Sequence, residues 1–293
     1  MKLLVVIGGP TASGKTGMAI AVAGRLGTEI VSADSRQFYT EMRIGNARPS
    51  AEELAAVPHH FVADRSIHQP LSAGRFAEEA LGRLATIYKD KDVAVAVGGS
   101  GLYLRALCEG LDEFPEVSEQ AAREVDSIGE EAGLPGLQQA LARLDPDYYA
   151  RVDRQNPRRL ERALKICLTE GKPYSSYLGR KASRPFEVRY FTTVLPREQL
   201  YQRIERRVDR MIERGLEEEA RHLYLERALP VLQTVGYQEW WPYFGGEYDR
   251  RRAVELIKRN SRRYAKRQLT WFRDFPPARD AEQLIDKLRD FNI

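Results

Sequence analysis

The feature that most constrains this chain is one octapeptide, Gly9-Pro10-Thr11-Ala12-Ser13-Gly14-Lys15-Thr16, which fits the pattern G-x-x-x-x-G-K-[ST]. It follows an apolar run, Lys2–Gly8, that predicts a strand, and it leads into a helical pattern over Gly14–Leu26. A glycine-rich turn between a strand and a helix points backbone N–H groups inward, where they bind phosphate oxygens. Lys15 adds a point charge, and the Thr16 hydroxyl can bind Mg²⁺. The octapeptide, called the P-loop below, therefore predicts a phosphate-binding site.

Short apolar strands alternate with helical patterns through the first third of the chain. Thr28–Ala33 and Val93–Val97 predict further strands, His60–Ala63 is a weaker candidate, and strand character returns at Glu187–Leu195. Apolar strands separated by helices indicate βαβ units and a parallel sheet that is buried on both faces. We therefore predict an α/β fold, with a parallel sheet flanked by helices.

The pattern changes near Pro115. The stretch from Ser118 to Leu178 predicts short helices broken by glycines and prolines. Everything beyond Arg197 predicts helix, with breaks near Pro230–Gly236 and Pro242–Gly246. The simplest topology returns the strand at Glu187–Leu195 to the parent sheet. We therefore expect a catalytic core made of residues 1–111 and 187–293, with C-terminal helices, and a helical insertion over 112–186.

Composition excludes several classes of protein. The 293 residues include only two cysteines, far apart, so neither a disulfide framework nor a zinc ribbon is expected. No apolar run approaches the roughly 18 residues that a membrane-spanning helix needs, and the first run is too short for a signal peptide. We expect a soluble, cytoplasmic protein that does not bind membranes, and nothing in the sequence requires an obligate protein partner.

The net charge of +4 is unevenly distributed. Residues 111–150 carry two basic and ten acidic side chains, whereas residues 250–267 carry nine basic side chains and one acid. Tyr264 and Trp271 lie among or just beyond these basic residues. A basic helix with interleaved aromatic residues favours a single-stranded or looped nucleic acid, although a solvated surface helix has the same charge pattern.

A carboxylate follows the second predicted strand, where Asp34 opens the segment Asp34-Ser35-Arg36-Gln37. The carboxyl ends of parallel strands share one edge of the sheet, so Asp34 should lie beside the P-loop. There it could bind Mg²⁺, act as a general base, or cap a turn. The strand Val93–Val97 ends instead in Gly98-Gly99-Ser100-Gly101, without the acid that ATP-hydrolysing P-loop proteins usually place there.

A polar cluster in the predicted insertion, Gln155-Asn156-Pro157-Arg158-Arg159, suits RNA, because amides pair with base edges and arginines bind phosphate. The Asn-Pro pair is equally typical of a helix start. The adjacent residues His59 and His60 lack further ligands at metal-site spacing, and we interpret them as structural.

Five motifs, taken together, resemble those of the tRNA dimethylallyltransferases, also called tRNA isopentenyltransferases. They are GPTASGKT at Gly9–Thr16, DSRQ at Asp34–Gln37, PHHF at Pro58–Phe61, GGSGLY at Gly98–Tyr103 and NPRR at Asn156–Arg159. The resemblance extends over nearly the whole chain through three further segments, Arg207–Met211, Val235–Glu239 and Lys266–Trp271. The fold that it implies is a P-loop NTPase-like parallel sheet with a helical insertion.

The resemblance also implies an activity: transfer of a dimethylallyl group from dimethylallyl diphosphate to N6 of the adenosine that is 3′-adjacent to the anticodon (position 37) of tRNA, with Mg²⁺. The P-loop would hold the diphosphate, Thr16 the metal, and Asp34 would take the N6 proton. Asp34–Gln37 and Gln155–Arg159 would contact the anticodon stem-loop. Ser100 and Arg123 would approach the transfer site.

Two departures from the family pattern are Ser100, where threonine is usual, and Lys165, where an acid is common. A different chemistry remains open from the residues alone, namely a P-loop kinase of a small metabolite or nucleoside with Asp34 as its base. A non-catalytic RNA-binding protein would need only the basic segments.

Overall fold

The computed structural model describes residues 2–179 and 182–288. They group into two compact units, Met1–Glu109 together with Arg184–Ile293, and Gly110–Ser183. The insertion predicted over 112–186 thus overlaps the second unit, with boundaries that differ by two or three residues. Within the described ranges, no helix is both long enough and apolar enough to cross a bilayer.

A six-stranded parallel sheet organises the first unit, as predicted. Its strands are β1 (Leu3–Gly8), β2 (Ile30–Ser32), β3 (His59–His60), β4 (Val93–Gly98), β5 (Glu187–Thr193) and β6 (Pro277–Ala278). The spatial order is β3-β2-β4-β1-β5-β6, and each pair of neighbours is parallel. The P-loop strand β1 therefore lies between β4 and β5, in the middle of the sheet.

The described helices, in chain order, are α1 (Lys15–Arg25), α2 (Ala51–Ala56), α3 (Ala73–Asp90), α4 (Gly101–Glu109), α5 (Glu119–Leu144), α6 (Pro146–Tyr149), α7 (Pro157–Glu170), α8 (Arg197–Glu213), α9 (Leu216–His222), α10 (Trp240–Phe244), α11 (Arg250–Trp271) and α12 (Ala281–Asp286). Alternate residues of β1 face opposite layers. Leu3, Val5 and Ile7 pack with residues of α1 and α12, whereas Leu4 and Val6 join a larger core with α3, α4 and the C-terminal helices. The sheet is buried on both faces, which explains its uninterrupted apolar strands.

The second unit consists of α5, α6, α7 and a 3-10 turn at Tyr174–Tyr177. Helix α5 is kinked at Gly133, whose φ of 58° and ψ of −153° lie outside helical values. Apolar residues of α5 and α7, among them Leu141 and Leu164, form its core. Lys165 forms an ion pair of 2.7 Å with Asp126, which gives this unusual lysine a structural partner on α5.

Two local predictions were wrong. The third strand is His59–His60 and not His60–Ala63, because Phe61 and Ala63 adopt positive φ angles of 63° and 50°. The C-terminal part is not entirely helical, because Pro277 and Ala278 pair with Thr192 and Thr193 at the sheet edge. A two-residue strand that contains proline carries almost no periodic signal, and proline is tolerated there because the strand lies at the edge.

Candidate active site

Four neighbouring strands end at the same edge of the sheet and bring the predicted site residues of the first unit together. In the order β2, β4, β1 and β5, these ends carry Asp34, the turn Gly98–Gly101, the P-loop and Thr193. Open parallel sheets bind ligands at this edge. The predicted proximity of Asp34 and the P-loop agrees with the electrostatic interaction between Asp34 and Lys15.

The P-loop is held by side chains and by its own backbone. The hydroxyl of Thr193 donates to Ser13 Oγ at 2.6 Å, and Lys15 Nζ donates to the carbonyl of Pro10 at 3.2 Å. Ala12 adopts a left-handed conformation with φ of 64°, a strained conformation for a residue with a Cβ. The first turn of α1 directs backbone N–H groups that the helix cannot satisfy toward the loop. This arrangement can bind an anion.

Lys15 is buried, and its charge is unusually costly. Burial lowers the pKa of Lys15 to about 8; the nearby Asp34 raises it, and Arg207 lowers it. An anionic ligand would stabilise the protonated form, because it adds an opposite charge beside a desolvated ammonium. Phosphate binding should therefore raise the pKa of Lys15 and keep its ammonium charged over a wider pH range.

Two residues complete the P-loop from distant parts of the chain. Gln268 Oε1 accepts a hydrogen bond of 2.8 Å from the amide of Thr11, and Gln268 Nε2 donates to the carbonyl of Gly99 at 2.9 Å. Arg207 donates to Thr11 Oγ1 at 2.8 Å, and burial lowers the pKa of this guanidinium. Sequence reasoning placed both residues in matching segments but gave neither a role, because nothing local to Arg207 or Gln268 indicates contact with the P-loop.

The Asp34–Gln37 segment is tied to the glycine-rich turn. Ser100 Oγ accepts from the amide of Ser35 at 3.0 Å and lies 3.0 Å from its hydroxyl. Asp34 Oδ1 accepts from the amide of Arg36 at 3.3 Å, so the carboxylate also caps its own turn. Tyr264 hydrogen-bonds Ser100 and lies beneath the guanidinium of Arg36, which is 4.7 Å from the ring centre. Burial is the main cause of the raised pKa of Tyr264.

Two glycines of this turn permit close approach of protein groups. A Cβ on Gly98 would overlap the backbone carbonyl of Ala33, directly before Asp34, and a Cβ on Gly101 would overlap the indole of Trp271. Backbone cannot move aside as a flexible side chain can. These glycines thus position Asp34 and α11 by contact within the protein.

A carboxylate clamps the loop that follows this segment, residues 43–47, called the acceptor loop below. Glu219 of α9 accepts hydrogen bonds from the three consecutive amides of residues 43–45, at 2.8–3.0 Å, and from the hydroxyl of Tyr237 at 2.6 Å. The loop in turn holds the Asp34–Gln37 segment, because Asn46 donates to the carbonyl of Arg36 at 3.1 Å. Sequence reasoning assigned nothing to Glu219.

A cavity extends from Thr11 and Asp34 toward the C-terminal helices. Its apolar lining includes Ile204, Val208, Met211, Val235 and Ile257, and its polar lining includes Asp34, Arg36, Arg207, Tyr264 and Gln268. A smaller cavity beside it is lined by residues that include Lys15, Thr16, Asp34 and His59. A ligand with a charged head and a short hydrocarbon tail matches this pair of cavities.

The remaining predicted residues belong to the second unit. Asn156 caps α7 by accepting from the amide of Arg159 at 3.4 Å, and Pro157 occupies the first turn, so the helix-start interpretation holds for this pair. Gln155, Arg158 and Arg159 are exposed. Arg123 is exposed on α5 and lies 3.4 Å from Glu119. These surface positions are accessible to a large partner.

Comparison with known proteins identifies the family. The family described as IPP transferase matches residues 37–275. A tRNA dimethylallyltransferase of Christiangramia forsetii is 49% identical over 274 residues, which cover 93% of this chain and 91% of the relative. The chain belongs to the IPP transferase family. The P-loop and Asp34 both precede the matched range. Arg207, Gln268 and Trp271 lie within it.

Solved structures of IPP transferase relatives have the same architecture. The full-length tRNA isopentenylpyrophosphate transferase of Bacillus halodurans superposes with a TM-score of 0.72 at 34% identity, covering 100% of this chain and 96% of that one. A eukaryotic dimethylallyltransferase acting on tRNA gives a TM-score of 0.79 at 26% identity, covering 93% of this chain and 70% of its own. The P-loop NTPase-like fold predicted from the sequence is thereby confirmed.

Proposed function

We propose that this protein transfers the dimethylallyl group of dimethylallyl diphosphate to N6 of the adenosine that is 3′-adjacent to the anticodon (position 37) in tRNA. The products are N6-isopentenyladenosine and diphosphate. The observation that carries the proposal is the common location of the P-loop, the Asp34 carboxylate and an apolar-walled cavity at one sheet edge. Membership of the IPP transferase family supports it.

Dimethylallyl diphosphate matches both the positively charged and the apolar surfaces of the site. The P-loop amides, Lys15 and Arg207 supply positive charge for the diphosphate, and the apolar wall that includes Val208 and Met211 suits the branched hydrocarbon. In the reaction the bond between the allylic carbon and the diphosphate oxygen breaks, so negative charge grows on the leaving group. Fixed positive groups stabilise that charge without reorganisation.

The residues fit a Mg²⁺ ion held mainly by the donor. Thr16 contributes a hydroxyl oxygen, and Asp34 lines the same small cavity with a carboxylate. His59 Nε2 is buried without a hydrogen-bond partner among the described residues, so it can accept from an ion-bound water. Mg²⁺ usually keeps several waters and binds through few protein ligands plus substrate phosphates. Such an ion would neutralise charge on the departing diphosphate.

Asp34 is the group best placed to receive the acceptor proton. As N6 attacks the allylic carbon, the new N–C bond makes the amine acidic, and its proton must leave. Asp34 lines both cavities, between the P-loop side and the wall formed by Arg36 and Tyr264. A positioned carboxylate both accepts that proton and holds the amine in line for attack.

RNA contacts would come from both units. In the first, Asp34–Gln37 would contact RNA, because Asp34 and Arg36 line the large cavity and Gln37 lines the small one. Ser100 fixes that segment through Ser35. In the second, the contacts would come from Gln155–Arg159, with the exposed amide of Gln155 and the exposed guanidinium groups of Arg158 and Arg159, and from the exposed Arg123. Because the reacting adenine must leave its stack to enter a cavity, an anticodon loop is a less costly acceptor than duplex RNA.

The proposal is tested by incubating the protein with Mg²⁺, dimethylallyl diphosphate and tRNA, followed by mass analysis of the tRNA nucleosides. Isopentenylated adenosine is expected only with all components. The kinase alternative is disfavoured by the absence of an acid after β4 and by the apolar wall. ATP consumption with a small acceptor in the absence of tRNA would overturn the proposal in favour of that alternative.

A further inference from the structure

Helix α11 presents three different faces, and only one of them has no assigned role. The first face carries Ile257, Ser261, Tyr264 and Gln268, which line the large cavity. The second carries Lys258 and Arg262, which form ion pairs of 2.5 and 2.6 Å with Asp209 and Glu205 of α8. The third carries Arg263, Lys266, Arg267 and Trp271, at the spacing of three and four residues that aligns side chains along a helix.

The nine basic residues of 250–267 therefore do not act as one block. Those near the start of α11 are also paired, since Arg250 contacts Glu217 at 2.7 Å and both Arg251 and Arg252 approach Glu255. For Arg263, Lys266 and Arg267, residues 2–179 and 182–288 provide no acid within ion-pair distance, and all three are exposed. The ninth basic residue, Arg259, donates to Asn260 Oδ1 at 3.3 Å. Three of the four basic residues of α11 without an acid partner in those ranges therefore lie on the third face.

An exposed aromatic ring ends this cationic face. The Trp271 side chain is 45% exposed, whereas Trp240 is fully buried. Its indole lies against Gly101 with no room for a Cβ, next to Ser100 of the transfer site. Leu102, which follows Gly101, is also exposed, at 49%. An apolar ring surface that is open to solvent beside unpaired cations matches the chemistry of a nucleobase joined to phosphates.

We propose that Trp271 is a stacking platform for a nucleobase that neighbours the reacting adenosine, and that Arg263, Lys266 and Arg267 bind the adjoining phosphates. The inference deepens the proposed function, because it takes looped RNA as the partner. Once the adenine has left its stack, a neighbouring base loses a stacking partner. The indole of Trp271, which lies against Gly101 beside Ser100, replaces that partner, and stacking on an aromatic ring tolerates any base.

The test compares Trp271→Phe with Trp271→Leu, which differ in whether a flat aromatic ring remains against Gly101. A synthetic anticodon stem-loop RNA is the probe, in three forms: intact, abasic 5′ of the acceptor adenosine, and abasic 3′ of it. Trp271→Leu should weaken binding of the intact RNA about 5- to 150-fold, the range for one stacked base, and Trp271→Phe should stay near wild type. The abasic RNA that lacks the stacked base should bind wild type and Trp271→Leu with about equal affinity, because it has no base to lose from the indole.

Three controls separate stacking from other effects. Dimethylallyl diphosphate affinity, measured by calorimetry, should be unchanged in both variants, which shows that the site is folded. Leu225→Ala, at an 86% exposed position elsewhere, should bind RNA as wild type does. The salt dependence of binding should flatten in a Lys266→Ala/Arg267→Ala variant but not in Trp271→Leu, because only phosphate contacts release counterions.

Equal losses for the intact and both abasic RNAs in Trp271→Leu would overturn the stacking assignment, as would wild-type affinity in that variant. An unchanged salt slope in the Lys266→Ala/Arg267→Ala variant would overturn the phosphate assignment. These outcomes are distinct from failure of the proposed function, which would appear as an absence of isopentenylated nucleoside with the wild-type protein and intact tRNA.

Discussion

The amide of Thr11 donates a hydrogen bond of 2.8 Å to the side-chain oxygen of Gln268, 257 residues later in the chain. Gln268 also donates to the carbonyl of Gly99, so one buried amide side chain joins the loops after β1 and β4. The Thr11 amide is consequently engaged within the protein. The Ser13 amide donates to the carbonyl of Pro10 at 3.4 Å. The loop therefore offers its other amides, with Lys15, to the diphosphate.

Gln268→Leu should destabilise the protein through these two contacts. It leaves the Thr11 amide and the Gly99 carbonyl without their partners, and an unsatisfied buried polar group costs about 1–3 kcal/mol. Urea unfolding should show a loss of free energy of unfolding in that range. Thr270→Ala, at an exposed position on the same helix, should stay within about 0.5 kcal/mol of wild type. Equal stability of Gln268→Leu and wild type would contradict this role.

Donor affinity should depend on pH through Lys15. The pKa of Lys15 in the free protein is about 8, and a bound diphosphate raises it, so donor binding takes up protons near pH 8. As the pH rises above 8, Lys15 loses its charge and the affinity for dimethylallyl diphosphate should fall. Calorimetry in buffers of different ionisation enthalpy measures both effects.

Lys15→Met should bind the donor weakly at all pH values and show no proton uptake near pH 8, while tRNA affinity stays nearly intact. Lys89→Met, at an exposed position on α3, serves as the matched control and should retain the wild-type profile. Unchanged donor affinity in Lys15→Met would remove the P-loop from diphosphate binding.

Glu219→Gln should loosen the acceptor loop without affecting the donor site. The amide group keeps the shape of the carboxylate, but it replaces one acceptor oxygen with a donor that faces backbone N–H groups. Hydrogen exchange at residues 43–45 should accelerate. KM for tRNA should rise more than tenfold, because a lost hydrogen bond to a charged group costs about 1.5–3 kcal/mol and about 1.4 kcal/mol corresponds to a factor of ten. The matched control is Glu218→Gln, on the exposed side of α9. A similar rise in both variants would contradict the clamp.

Gly98→Ala should disturb Asp34 by steric overlap. The added Cβ meets the Ala33 carbonyl, so the end of β2 must shift. A 1 Å misplacement of a catalytic group can cost about 10²-fold in rate, and we expect a loss of at least that order in transfer. Gly82→Ala, where a Cβ meets nothing within 4 Å, should be neutral. Full activity of Gly98→Ala would show that the strand end is not rigid.

The sequence was sufficient to predict the parallel sheet with its four longer or central strands, the P-loop and the position of Asp34 at a strand end, because each depends on a local pattern. Continuous apolar strands and a glycine-rich turn report their own conformation, and parallel topology then places the strand ends together. Gln268, Arg207 and Glu219 could not be assigned in this way. Their partners in the P-loop and in the acceptor loop lie between 174 and 257 residues away along the chain, and only the folded structure brings them together.

The basic segment 250–267 likewise shows what a sequence alone cannot predict. Charge counting treats residues 250–267 as one cationic helix, but ion pairing to α8 depends on which face Lys258 and Arg262 occupy. The helical period predicts the faces, whereas the acids that neutralise one of them lie on another helix. Only the structure separates the paired arginines from Arg263 and Arg267.

The most direct test of the account is single-turnover transfer with donor, Mg²⁺ and tRNA all saturating, in wild type and Asp34→Asn, read as isopentenylated adenosine by mass analysis. General-base catalysis contributes about 10²–10⁴-fold, so the mutant rate should fall by at least 10²-fold while donor affinity, set by the P-loop and Lys15, changes little. A mutant rate within about threefold of wild type would remove Asp34 from the chemistry. Absence of the modified nucleoside with wild type would contradict the proposed transfer itself.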